Sequence, residues 1–154
     1  MQFWRLYKTT YNDPLSGEGA KAYGGRWNLP GQAALYLADT PALAMVEILA
    51  RAPSAQQAKK FRAALVEIDA RSLPVFALES LPAGWDSEPP ITASQRFGSE
   101  RFNHDGLLGF RVPSVVVPLQ TIAVVNTGHR DFHSKIRLVR ADIPFPFDLR
   151  LLSE

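Results

Sequence analysis

One carboxylate stands in the apolar run "PALAMVEILARA", and Glu47 is the only acidic residue between Asp39 and Glu67. On a helix its neighbours three and four positions away are Leu43, Ala44, Ala50 and Arg51. A bare buried charge costs several kcal/mol, so this carboxylate needs a partner or a task. One reading is an ion pair with Arg51, one turn along. The other is a functional role. Upstream, Arg26 follows Gly24-Gly25 and precedes Trp27-Asn28. Glycines let the backbone come close to a ligand, and a guanidinium there can fork onto a phosphate. The plainer alternative is a tight turn whose arginine stacks on Trp27 or Tyr23.

Other constellations carry less. "GEGAKA" at 17–22 fits G-x-G-x-x-A, but it lies inside a loop instead of leaving a strand, which excludes a dinucleotide fingerprint. His129 and His133 are spaced as in zinc helices, yet the residue after the first histidine is Arg130 and not the glutamate that chemistry needs. These histidines read as surface or loop-capping groups, and no metal site is expected. Ser114 in "VPSVV" lacks the glycines of a nucleophile elbow and reads as a turn residue. A ribonuclease would have to draw its acid and base from His104, His129 and His133. A non-catalytic interaction module would make Arg26 and Glu47 a buried ion pair.

The elements that must position these groups are legible in outline. "FWRLY" (3–7) reads as a first strand, 8–31 as a long glycine- and proline-bearing loop, and "AALYLA" (33–38) as a second strand. Thr40-Pro41 starts a helix that runs to about Ala52, before Pro53. "KFRAALVEID" (60–69) favours a strand, with helix as the alternative, and "LPVFAL" (73–78) is extended. A turn-rich connector "LPAGWDSEPP" then leads to a polar surface helix from Pro90 to about His104, weakened by Gly98. Strands are expected at 107–112, 114–118, 121–126 and 135–143. The mixture predicts an α+β fold of short mixed or antiparallel strands with a few helices, in one domain spanning 1–154.

The chain has 154 residues, 46% hydrophobic, which is enough for one real core. Seventeen basic and fifteen acidic residues leave a net charge of +2, too shallow to nominate a nucleic-acid partner. With no cysteine there is no disulfide framework and no thiolate chemistry. "MQFWRLYK" lacks the apolar region of a secretory signal and no run reaches membrane-spanning length, so the expected location is the cytoplasm.

Taken together, "WRLY", "GEGAKAYGGRWNLPGQAALYLADTPALAMVE", "FRVPSVVVP" and "NTGHRDF" resemble, in order and over nearly the whole chain, the RES domain family. The resemblance implies a toxin of a bacterial toxin–antitoxin pair, with a fold similar to that of ADP-ribosyltransferases and an Xre-like antitoxin as partner in a hetero-oligomer. It implies consumption of NAD+ as substrate, with no separate cofactor, by hydrolysis or phosphorolysis of the nicotinamide–ribose bond. Mono-ADP-ribosylation of a protein is the alternative. The matching positions are Arg26, Tyr36, Glu47 and Ser114, with Arg5 on the first strand. In this assignment Glu47 stabilises the oxocarbenium-like ribose and Tyr36 offers a face to the cationic nicotinamide. Arg26, with Arg5, takes the pyrophosphate. Ser114 adds a hydrogen bond to the ribose or the nicotinamide amide. The late "NTGHRDF" departs from the family's usual Asn-Pro pair, away from these positions.

Overall fold

A computed structural model describes residues 1–152. Six strands form one sheet in the order β4-β5-β2-β1-β3-β6, and all their pairings are antiparallel. They are β1 (Gln2–Lys8), β2 (Ala34–Ala38), β3 (Phe61–Ile68), β4 (Gly109–Pro113), β5 (Thr121–Asn126) and β6 (Ile136–Pro144). The helices are α1 (Glu18–Tyr23), α2 (Pro41–Leu49), α3 (Ala55–Ala58), α4 (Thr92–Asn103) and α5 (Phe132–Lys135). This is the α+β arrangement expected.

The sheet is two halves joined at a narrow seam. β1 pairs β3 along its whole length, from Gln2 opposite Glu67 to Lys8 opposite Phe61. β2 pairs β5 over all five of its residues. Between the halves, β1 and β2 meet through Trp4 opposite Ala38. Past that point the Arg5 side chain does what a ladder would do. Its Nε donates to Pro14 O at 2.7 Å and its Nη1 reaches Tyr36 O at 3.5 Å.

Alternation along the strands sends apolar side chains to both faces. Phe3, Leu35, Leu37, Val66, Ile68, Ala123, Val125 and Phe132 pack on one face. The other face carries two clusters. Leu6, Ala38 and Phe61 pack with Leu43 and Ile48 of α2. Trp27, Phe110, Val112 and Val124 pack with Phe102 of α4. β3 alternates closely enough to decide the helix-or-strand question for 60–69 in favour of strand.

Four expectations change in detail. The stretch 8–31 is not all loop, because Glu18–Tyr23 forms a short helix behind Gly17 in the left-handed conformation at φ +66°, with no side-chain cap to announce it. α2 ends at Leu49, not near Ala52, and Arg51 N and Ala52 N close tighter turns onto Ile48 O and Leu49 O. Pro53 explains this, since a residue before proline is pushed out of the helical region. No strand forms at 114–118, because Val116 N and Val117 N donate to Ser114 Oγ at 3.1 Å instead of to a ladder. α4 is not simply a surface helix. Its Ser94, Gly98, Ser99 and Phe102 are buried.

Candidate active site

The glycine loop is built first. Gly25 and Asn28 bridge across a two-residue turn, so Arg26 and Trp27 sit at its tip. Fully buried Asn28 locks the loop, its Nδ2 donating to Ala20 O, Leu29 O and Gln32 O at 2.9, 3.2 and 3.0 Å. Its Oδ1 accepts the Tyr36 hydroxyl at 2.6 Å, and that hydroxyl in turn accepts Trp27 N at 3.0 Å. A Cβ on Gly25 would stand 2.6 Å from the Tyr36 hydroxyl and 2.7 Å from Asn28 Oδ1, so this knot requires glycine there. Burial pushes the ionisation of Tyr36 upward, which keeps it a neutral phenol.

Trp27 anchors the other end of the loop. It stacks on Trp85 at 5.9 Å between ring centroids and meets Phe97 and Phe110 edge-on. α4 comes so close that a Cβ on Gly98 would lie 1.7 Å from Trp27 O. Gly98, expected to weaken the helix, is what lets the helix sit on this loop.

Arg26 therefore points along a wall already made. Its Nη1 donates to Trp85 O at 2.8 Å and Ser87 O at 2.7 Å, and Nη2 pairs with Glu88 at 3.0 Å. Among the described residues Arg26 neither stacks on Trp27 or Tyr23 nor pairs with Glu47. The guanidinium ties the 85–88 segment to the glycine loop, and three of its hydrogen bonds are spent in doing so.

Glu47 is held from behind. α2 starts at Thr40, whose side chain caps Leu43 N at 3.0 Å, with Pro41 at the first position. Such a cap contributes about 1 kcal/mol. In its last turn the helix presents Glu47, and Ser114 Oγ donates to Glu47 Oε1 at 2.6 Å. Ser114 is fully buried and also accepts Val116 N and Val117 N. Its hydroxyl is saturated and aims one carboxylate oxygen. Glu47 Oε2 has no protein partner among the described residues. The expected ion pair with Arg51 is absent from the described residues as well. Arg51 lies beyond the helix end, in the tightened turn, and does not sit one regular turn above Glu47.

Arg5, Arg26, Tyr36, Glu47 and Arg51 line one cleft of about 900 Å3, together with Tyr11, Tyr23 and Glu88. This is at the upper end of small-molecule sites, which run roughly 300–1,000 Å3. Four of the five residues singled out from sequence thus share a cavity, and the fifth, Ser114, stands behind Glu47. Burial and the neighbouring charge of Arg51 lower Arg5 to about 10, so it stays cationic at neutral pH. The histidines lie elsewhere. His129 bonds Gly106 O and accepts Asp131 N as a loop cap, and His104 pairs with Asp105 on the surface. Among the described residues no group of three or more His, Asp or Glu side chains could hold a metal. Nor is any helix there long and apolar enough to cross a membrane.

Sequence reasoning missed Asn28, Gly98 and the orienting role of Ser114. Asn28 had a local signal, an amide in a glycine-rich turn beside an arginine. Gly98 and Ser114 had none, because their partners lie about seventy residues away.

The sequence model of the RES domain matches residues 2–148. The chain is 32% identical over 153 residues to a protein named Toxin Res from Photorhabdus laumondii, spanning 99% of this chain and 97% of that one. It is 38% identical over 147 residues to the Prs ADP-ribosylating toxin of Sphingobium sp., spanning 90% of each. A third relative is the NAD(+) phosphorylase MbcT of Mycobacterium tuberculosis, 44% identical over 77 residues, 47% of this chain and 41% of that one. The crystal structure of the M. tuberculosis MbcT–MbcA toxin–antitoxin complex superposes with a TM-score of 0.71 at 25% identity, covering 91% of this chain and 81% of that one.

Proposed function

This chain belongs to the RES domain family, and from that premise we propose that it is the toxin of a toxin–antitoxin pair that consumes NAD+ by cleaving the nicotinamide–ribose bond. One observation carries the reading. Glu47 faces a cleft with one oxygen held by Ser114 and the other free, beside Tyr36 and a group of guanidiniums. Loss of nicotinamide leaves positive charge on the ribose, in a transition state like that of glycoside hydrolysis. A carboxylate already oriented in the free enzyme stabilises that charge without reorganising. Tyr36, its hydroxyl tied to Asn28 and Trp27, offers its ring to the departing cation. Arg26 holds the 85–88 wall and keeps its remaining donors for the substrate. Arg5 supplies a fixed cation at the seam of the sheet.

The acceptor is water or phosphate in this reading. Transfer of ADP-ribose to a protein is the second reading, and the full-length similarity to an ADP-ribosylating toxin favours keeping it. Both break the same bond with the same residues. The partner is an antitoxin of the Xre-like class, bound in a hetero-oligomer over the cleft. The whole chain works as one cytoplasmic domain with NAD+ as substrate and no separate cofactor.

The test incubates purified, antitoxin-free protein with NAD+, with and without phosphate and with cell lysate. Nicotinamide release is expected without additions if water is the acceptor, only with phosphate if phosphate is, and only with lysate if a protein is. ADP-ribose, its phosphorylated counterpart or labelled protein then identifies the acceptor. Activity after EDTA treatment and desalting is expected to be unchanged. Folded protein that releases no nicotinamide under any of these conditions would contradict the proposal.

A further inference from the structure

We propose that Arg51, together with Arg5, forms the receptor for the diphosphate of NAD+, and that Arg26 serves mainly as the clamp of the cleft wall. The inference rests on the NAD+ reading above and assigns a residue that the family-matched positions leave out. It starts from which cations in the cleft are free. Arg26 is engaged by Trp85 O, Ser87 O and Glu88. Of Arg5, Nε is taken by Pro14 O and Nη1 makes only a long contact to Tyr36 O. Arg51 is exposed, lines the cleft, and makes no ion pair or side-chain hydrogen bond among the described residues.

The nearby carboxylates do not claim it. Glu47 is held by the Ser114 hydroxyl, Glu88 by Arg26, and Asp13 Oδ1 accepts Leu15 N. Two guanidiniums therefore face one cavity, and although Asp13 and Glu47 also line it, neither carboxylate forms an ion pair with them among the described residues. Their proximity is felt, since Arg51 is a principal reason, after burial, that Arg5 holds its proton less tightly than usual. A diphosphate relieves that repulsion and offers oxygens to both forks. Ala52, just after Arg51, takes φ +50°, a conformation an alanine occupies at a cost, in the tightened turn that ends α2.

The distance in sequence fits the division of labour. Glu47 on the last full turn of α2 addresses the ribose, and Arg51 just past the end addresses the phosphates attached to it. One short element thus carries both the stabilising carboxylate and an anion anchor.

The experiment compares wild type, Arg51→Gln and Arg51→Lys. Calorimetry with ADP-ribose reads binding without turnover. Kinetics with NAD+ and with nicotinamide riboside, which has the scissile bond and no diphosphate, read the split between KM and kcat. Arg51→Gln is expected to weaken ADP-ribose roughly tenfold or more and to raise KM for NAD+ to match. Its kcat for NAD+ and its turnover of nicotinamide riboside should stay near wild type, and Arg51→Lys should recover part of the loss. Unchanged ADP-ribose affinity in Arg51→Gln overturns the proposal. So does a defect confined to the KM for inorganic phosphate, which would make Arg51 an acceptor residue, or an equal loss on nicotinamide riboside, which would make its role structural. A wild type that binds ADP-ribose but never cleaves NAD+ contradicts the functional reading instead, and leaves the receptor measurable.

Discussion

At the scale of single residues, the account turns on how each polar group is already occupied. The Ser114 hydroxyl donates to Glu47 and accepts two backbone N–H groups. Its contribution is to orient the carboxylate. Ser114→Ala should therefore lower kcat for NAD+ by roughly tenfold to a hundredfold, the scale of a small misplacement of a reacting group, with KM little changed. Steady-state kinetics check this, and a rise in KM alone would return Ser114 to the substrate. Arg5 gives a pH signature. With burial and Arg51 setting it near 10, a bound anion must hold its proton on more tightly. By linkage, ADP-ribose affinity should be flat below that value and fall as pH rises through about 10. Lys8 also lines the cleft, so the control is Arg5→Gln, in which the step assigned to Arg5 disappears. A profile identical in the two proteins would contradict the assignment.

At the scale of elements, the glycine loop, α2 and α4 form one device. The loop is locked by Asn28, clamped by Arg26 and pressed by α4 at a point where no side chain fits. Gly98→Ala should overpack that contact and cost about 1–3 kcal/mol, seen as a lower Tm, and should lower activity by loosening the loop that carries Arg26. An alanine variant as stable as wild type would show that the close approach is not needed. These elements also show what was legible in the sequence. Thr40-Pro41 marked the start of α2, and Gly24-Gly25-Arg26 marked a tight turn, because caps and turns are local chemistry. The partners of Arg26 lie 59 to 62 residues away, and those of Glu47 lie 67. No local pattern announces such contacts. For the same reason the ion pair of Glu47 with Arg51 looked plausible from spacing, until Pro53 ended the helix between them.

At the scale of the whole molecule, the sheet is two antiparallel halves that touch at Trp4 and Ala38, with the cleft lined from both. β1 brings Arg5 from one half and β2 brings Tyr36 from the other, so these cleft residues meet only when the halves do. The order of strands was not readable from periodicity, which gives faces and not neighbours. The family resemblance anticipated the fold because the order of its motifs carries that topology. An unchecked consumer of NAD+ harms its host, so the complete system should include a protein that covers this cleft. Co-expression with a cognate antitoxin should restore growth and block ADP-ribose binding, and rescue of growth with the cleft still open to ADP-ribose would place the antitoxin elsewhere.

The most direct measurement follows nicotinamide release from NAD+ by wild type and by Glu47→Gln, with circular dichroism on both. The account predicts release by the wild type and a loss of at least about a hundredfold in the variant, the scale on which one stabilising group acts, with the fold intact. A folded Glu47→Gln protein that releases nicotinamide as fast as wild type would contradict the central role given to that carboxylate.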